Sequence, residues 1–122
     1  MAEHNDFGKL AEDAACTFLE SNCYDILERN FRFLKAEVDI IAKTENTLVI
    51  VEVKARSDNH FINPEDAVNK KKMRLLVAAA DEYSQSLKED LDVRFDIISV
   101  LKTKQNILEI KHIKDAFQSY EI

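Results

Sequence analysis

The sequence predicts an α/β fold, a mixed β-sheet flanked by helices in the order helix, three strands, helix, two strands. Periodicity carries that prediction. Apolar residues recur at helical spacing over 7–19 and again over 68–83, while five short stretches rich in Val, Ile and Phe lie between polar segments. The string Asn63-Pro64-Glu65-Asp66 adds a helix start: a cap, a proline for the first turn, then two acids.

In order along the chain, Asn5 or Asp6 is placed to cap a first helix whose inner stripe is Phe7, Leu10, Ala11, Ala14, Ala15, Phe18 and Leu19. Strands are predicted at Tyr24–Phe33, Glu37–Ala42 and Leu48–Ala55. The short polar turn Thr44-Glu45-Asn46-Thr47 joins the last two into a hairpin. The second helix runs from the signal at 63–66 to about Ser86, with Val68, Leu75, Leu76, Ala79 and Tyr83 inward. Strands at Val93–Leu101 and Ile107–Ile113 flank the turn Lys104-Gln105-Asn106. A short C-terminal helix is expected to include Asp115-Ala116-Phe117.

The bulk composition suits a single domain over residues 1–122. Hydrophobic residues make up 46% and charged residues 33%, with one Gly, one Pro and no linker-like segment. No apolar run exceeds six residues, too few to span a membrane, and the opening MAEHNDF lacks a hydrophobic signal segment. A cytoplasmic protein is expected. On one helix Cys16 and Cys23 would lie roughly 10 Å apart along the axis, too far to bridge. Both are read as reduced, with Cys16 packing inside the helix face. His4, His60 and His112 are scattered without zinc spacing and are expected on the surface or in loops.

A net charge of −6 argues against a protein that coats nucleic acid. The acids concentrate in residues 1–28 and 81–101, and the segments between and after them are mildly basic. Charges further apart than about 8 Å are largely screened at physiological salt, so an acidic flank does not forbid a phosphate-binding site elsewhere.

The strands themselves raise the functional question. Leu48-Val49-Ile50-Val51 reads as a strand buried on both faces, yet Glu52 and Lys54 follow it, separated by Val53. Asp39 interrupts the hydrophobic strand Glu37-Val38-Asp39-Ile40-Ile41 in the same way. If 37–42 and 48–55 form a hairpin, the carboxylates of Asp39 and Glu52 converge. Burying a lone carboxylate costs several kcal/mol even after relaxation, so such a pair needs a partner. A divalent cation with hard oxygen ligands supplies one. Strands with one wet face also carry Glu and Lys, and a Glu–Lys pair at a sheet edge explains the string without chemistry. Two further residues favour a site. Glu12 lies at the margin of the first helix's apolar stripe, and Lys72 falls in the middle of the second helix's stripe, where a lysine must snorkel or meet an anion.

These residues, with Gly8-Lys9, Ala11-Glu12, Ile26 to Asn30 with Arg32, Glu37 to Ala42, Val51 to Arg56, Pro64 to Val68, Lys72, Arg94 to Ile98, His112-Ile113 and Ala116-Phe117, resemble the YraN-like family of small bacterial proteins. That family consists of predicted endonucleases of the restriction-endonuclease-like, or PD-(D/E)xK, superfamily. The resemblance runs from Gly8 to Phe117. It implies a restriction-endonuclease-like sheet and a metal-dependent nuclease centre built from Glu12, Asp39, Glu52 and Lys54, with Lys72 following. Asp39 and Glu52 would hold Mg²⁺ or Mn²⁺ with the Val53 carbonyl, and Glu12 a second ion or a water. Lys54 would orient the attacking water. Arg56, Lys70 and Lys72 would contact nucleic-acid phosphates. Similarity to resolvase-like relatives implies structured or branched DNA as substrate, for which a homodimer would suit. Two other classes fit the same chain: a non-catalytic nucleic-acid-binding module that keeps the fold, and a protein-interaction scaffold using its acidic surfaces.

Overall fold

A computed structural model describes residues 2–57 and 68–119. Over them the chain runs α1 (Ala2–Ser21), β1 (Asp25–Phe33), β2 (Ala36–Thr44), β3 (Thr47–Arg56), α2 (Lys70–Leu87), β4 (Asp92–Lys102) and β5 (Leu108–Phe117). The strands form one sheet in sequence order. Neighbours are antiparallel except β3 and β4, which are parallel and are linked through α2. The order αβββαββ and the mixed sheet are those the sequence predicted. Among the described residues no helix is long and apolar enough to cross a membrane.

Helices cover both faces of the sheet. Ala11, Ala15, Cys16 and Leu19 of α1 pack on Ile40, Ala42, Val49, Val51, Ile98 and Val100. Leu76, Ala79 and Ala80 of α2 pack on the other face, against Val38, Ile41, Leu48, Ile50, Phe95 and Ile97. A strand buried on both faces cannot alternate apolar with polar residues, hence the unbroken Leu48–Val51 run. Cys16 is buried and Cys23 exposed, and both are free thiols.

Several boundaries differ from the sequence prediction. Helix α1 begins at Ala2, so neither Asn5 nor Asp6 caps it, and Leu10 is 46% exposed because the sheet meets only Ala11, Ala15, Cys16 and Leu19. Asn69 caps α2, its Oδ1 accepting from the Lys72 N–H at 2.8 Å. Val68 is buried but precedes the helix, and the start signal at 63–66 lies outside the described residues, as does His60. Residues 115–117 end β5 and are not helical. Phe117 pairs with Phe95, their rings stacked at 4.8 Å, and this burial outweighs local helix preference.

With one glycine in the chain, other residues take the left-handed backbone. Cys23, Leu34, Glu45, Lys88 and Asn106 do so between elements. Asn30 (φ 56°) and Asp115 (φ 56°) do so inside strands, where such a conformation is uncommon. Each lies beside a network of carboxylates.

The network beside Asp115 corrects the expectation for His112, whose side chain is 8% exposed. The β4–β5 register shifts between Phe95 and Ile97, and the displaced Asp115 N–H donates to Asp96 Oδ1 at 3.0 Å. Arg94 donates to both Asp96 oxygens, at 2.9 Å from Nε and 2.8 Å from Nη2. His112 Nε2 lies 2.7 Å from Asp96 Oδ2, and Arg94 Nη2 also reaches the Tyr24 hydroxyl at 2.7 Å. An ionised Asp96 only accepts, so the His112 Nε2 carries a proton. Burial pushes the Asp96 carboxyl up, but His112, Arg94 and the Asp115 N–H together hold it below the ordinary aspartate value. Its contribution to stability is therefore present above pH ~4 and lost as pH falls through the lowered pKa. Asp96→Ala removes the carboxylate from half-buried Arg94, which keeps only the Tyr24 hydroxyl, and from the largely covered His112 ring. The expected cost is about 3–5 kcal/mol by urea unfolding at pH 7, and a loss below about 1 kcal/mol would show that the network contributes little.

Candidate active site

Asp39 and Glu52 meet where β2 and β3 separate. The β2–β3 register runs from Thr44↔Thr47 to Ile40↔Val51 and stops there. In an antiparallel ladder closed by a two-residue turn, alternate pairs exchange both backbone hydrogen bonds, and the next such pair would be Val38 and Val53. The Val53 N–H instead donates to Asp39 Oδ2 at 2.7 Å. Continued one residue past its end, the same register sets Asp39 across from Glu52.

The surroundings of the two acids are unequal. Glu52 is 4% exposed. Its Oε2 accepts ion pairs from Lys54 Nζ at 3.4 Å and Lys72 Nζ at 3.3 Å. Its Oε1 is buried without a hydrogen-bond partner. Asp39 is half-buried and has only the Val53 N–H in its favour. Burial first, then the adjacent Glu52 carboxylate, push the Asp39 carboxyl up to about 8, with a smaller upward push from Glu12. Lys72 reaches the site because α2 lies across β2 and β3 and its inner stripe includes position 72, as the helical spacing indicated.

Glu12 approaches from the α1 side. Its Oε1 accepts from Asn30 Nδ2 at 3.0 Å and from Arg29 Nη2 at 3.2 Å, and Arg29 Nη2 also reaches Asp13 Oδ1 at 2.7 Å. Lys9, Glu12, Arg29 and Asn30 line a cleft of about 500 Å³. Arg29, Asn30 and Asp13 carried no assigned role in the sequence reading. Their signal was present in Arg29-Asn30, two polar residues in succession within a strand. Arg56 and Lys70 are exposed, Arg56 donating to the carbonyl of Ala55 and Lys70 opening α2.

The donor set suits a hard divalent cation. Two carboxylates lie together, one with an orphaned buried oxygen and the other held protonated near neutral pH, and both conditions are relieved by a cation between them. Among the described residues no three His, Cys, Asp or Glu side chains gather closely enough to hold an ion. An ion here would rest on Asp39, Glu52 and water, with Glu12 standing off at its clamp of Arg29 and Asn30.

Comparison with known proteins places the chain. The profile of uncharacterised protein family UPF0102 matches residues 11–100. The chain belongs to this family. A UPF0102 protein of Flavobacterium psychrophilum is 52% identical over 98% of this chain and 100% of its own length. Relatives from Christiangramia forsetii and Bacteroides thetaiotaomicron are each 50% identical over 96% of this chain, covering 98% and 96% of their own lengths. The matched span of the UPF0102 profile contains Glu12, Asp39, Glu52, Lys54 and Lys72.

The raised Asp39 pKa has a measurable sign. An unfolded aspartate titrates near pH ~4, whereas the folded one binds its proton up to about 8. The associated stability is fully present below pH ~4 and is lost as pH rises through the folded value. In EDTA, wild type should therefore lose stability relative to Asp39→Asn between those limits, by an amount on the order of several kcal/mol at ~1.4 kcal/mol per unit. Urea unfolding of both proteins at about pH 5 and about pH 8.5 measures it. A difference that stays constant contradicts the paired-carboxyl account.

Proposed function

We propose that this UPF0102 protein is a Mg²⁺- or Mn²⁺-dependent nuclease that hydrolyses phosphodiester bonds of structured or branched DNA. The supporting observation is the pairing of half-buried Asp39 with buried Glu52, whose Oε1 is orphaned, flanked by the ammonium groups of Lys54 and Lys72. Asp39 and Glu52 would hold the ion, with the Val53 carbonyl as a further candidate ligand. Bound there, it would neutralise the two acids, polarise the scissile phosphate and lower the pKa of a water.

The chain's own groups do the rest. Lys54, partly exposed beside Glu52, orients the attacking water and offsets charge that builds on the phosphate in the transition state. Lys72 grips a phosphate oxygen from the α2 side. The first turn of α2 holds Lys70, Lys71 and Lys72 and no acid, an arrangement unfavourable to the helix itself because cations oppose the positive end of its dipole. A phosphate backbone reverses that penalty. Arg56 and Lys70 extend the contact along the strand. These groups contact backbone and carry no base-reading geometry, so specificity would come from the shape of the DNA.

A panel of branched, flapped and duplex DNAs with RNA controls, in Mg²⁺ or Mn²⁺, tests this reading. Wild type is expected to cut at least one branched member. Asp39→Asn and Glu52→Gln should each lose roughly 100-fold or more in rate, since metal stabilisation of the transition state is worth several kcal/mol at ~1.4 kcal/mol per tenfold. Cleavage of no member, or cleavage unchanged in both variants, refutes it. In parallel, millimolar Mg²⁺ should raise the melting temperature of wild type and leave that of Asp39→Asn unmoved. DNA binding that survives EDTA and ignores Asp39→Asn would indicate a binding module in place of an enzyme.

A further inference from the structure

We infer that Asn30 and Arg29 are positioning residues, which fix the Glu12 carboxylate on the α1 side of the Asp39–Glu52 pair and leave its second oxygen available to a water of the ion. The inference rests on the nuclease reading of the site. It starts from the backbone. In the β1–β2 register Arg29 pairs with Ile40 and Phe31 with Val38, which puts Asn30 directly across from Asp39. Glu52 continues that row one step past the last β2–β3 pair, Ile40↔Val51, and Asn30 occupies the left-handed region at φ 56°. Asparagine tolerates that conformation better than most residues, and strain of this kind tends to be kept where it aims a functional group.

Both side chains act on one atom. The Asn30 amide and the Arg29 guanidinium converge on the same oxygen, Glu12 Oε1, at 3.0 and 3.2 Å. Glu12 needs such a clamp. It sits on α1, a long side chain whose ordering into one position costs rotamer freedom. Two donors at one oxygen hold it in place. Asp13, one residue on, accepts from the same Arg29 Nη2 at 2.7 Å. A pair formed only to dock α1 on β1 would use Arg29 and Asp13 alone and would not require Asn30 to leave the strand conformation.

The test uses Asn30→Gly, Asn30→Asp and Arg29→Ala, each also in a Glu12→Ala background. Glycine adopts a positive φ freely, so Asn30→Gly keeps the backbone and removes only the amide. Readouts are Mn²⁺ affinity by calorimetry, kcat and KM on the DNA that wild type cuts, and melting temperature in EDTA. Asn30→Gly and Arg29→Ala should weaken Mn²⁺ binding and lower kcat by about 10- to 100-fold, with KM little changed, as is typical when a ligand's supporting partner is lost. Asn30→Gly should do so without lowering the melting temperature. Asn30→Asp should lose at least as much, because a second carboxylate repels Glu12. With Glu12→Ala already present, none of the three should cost more. If wild type binds Mn²⁺ and Asn30→Gly matches it in affinity and kcat, the clamp is wrong and the nuclease reading survives. Losses that persist undiminished in the Glu12→Ala background assign the residues a structural role and also overturn it. A wild type that neither binds Mn²⁺ nor cleaves removes both readings together.

Discussion

A hydrogen bond from the Val53 N–H to the Asp39 carboxylate organises the centre of this molecule. It forms where the β2–β3 ladder ends, and it gives β3 a partner for a backbone group that would otherwise be unsatisfied in a largely buried sheet. The consequence is that a carboxyl group enters the sheet layer instead of standing off one face. Glu52 lies across from it, so two acids share a place where water is scarce. Close carboxylates in such a place cannot both be ionised without a cation. One proton or one metal ion resolves the conflict, and the polarity of everything around the pair follows from it.

The two helices bring groups of opposite sign to that pair. Helix α2 contributes Lys72, and β3 contributes Lys54, to the same oxygen of Glu52. Helix α1 contributes a further acid, Glu12, restrained by Arg29 and Asn30. Each acid outside Asp39 thus has basic partners, Lys54 and Lys72 at Glu52 and Arg29 at Glu12, although the chain as a whole carries −6. At physiological salt the acidic residues of 81–101 act weakly on phosphates bound beyond about a Debye length.

Asp96 shows what the same residue type does when its partners are complete. It too accepts a backbone N–H at a break in a ladder, from Asp115 between β4 and β5. But Arg94 and His112 occupy its remaining lone pairs, so it stays ionised, and its pKa falls where that of Asp39 rises. The Asp96 network is satisfied and rigid. The Asp39–Glu52 pair is incomplete, with a buried oxygen left over. That contrast separates an aspartate whose partners are complete from one whose partners are not.

Much of this was legible in the chain. Element order follows from hydrophobic period, and the placement of Lys72 on an apolar stripe and of Asp39 and Glu52 in apolar strands follows from alternation and helical spacing, which are local rules. Residues without such a rule were misread. His112 looked like an isolated surface histidine because its partner Asp96 lies on a neighbouring strand. Residues 115–117 looked helical because the Phe95–Phe117 stack is a contact between strands. Asn30 gave no sign of its left-handed backbone. The sequence by itself determined which residues could be brought together, since periodicity is written in consecutive positions. Only the tertiary structure decided the register that sets Asn30, Asp39 and Glu52 in one row and the helix seating that brings Glu12 and Lys72 to it, because those depend on the packing of segments far apart in the chain.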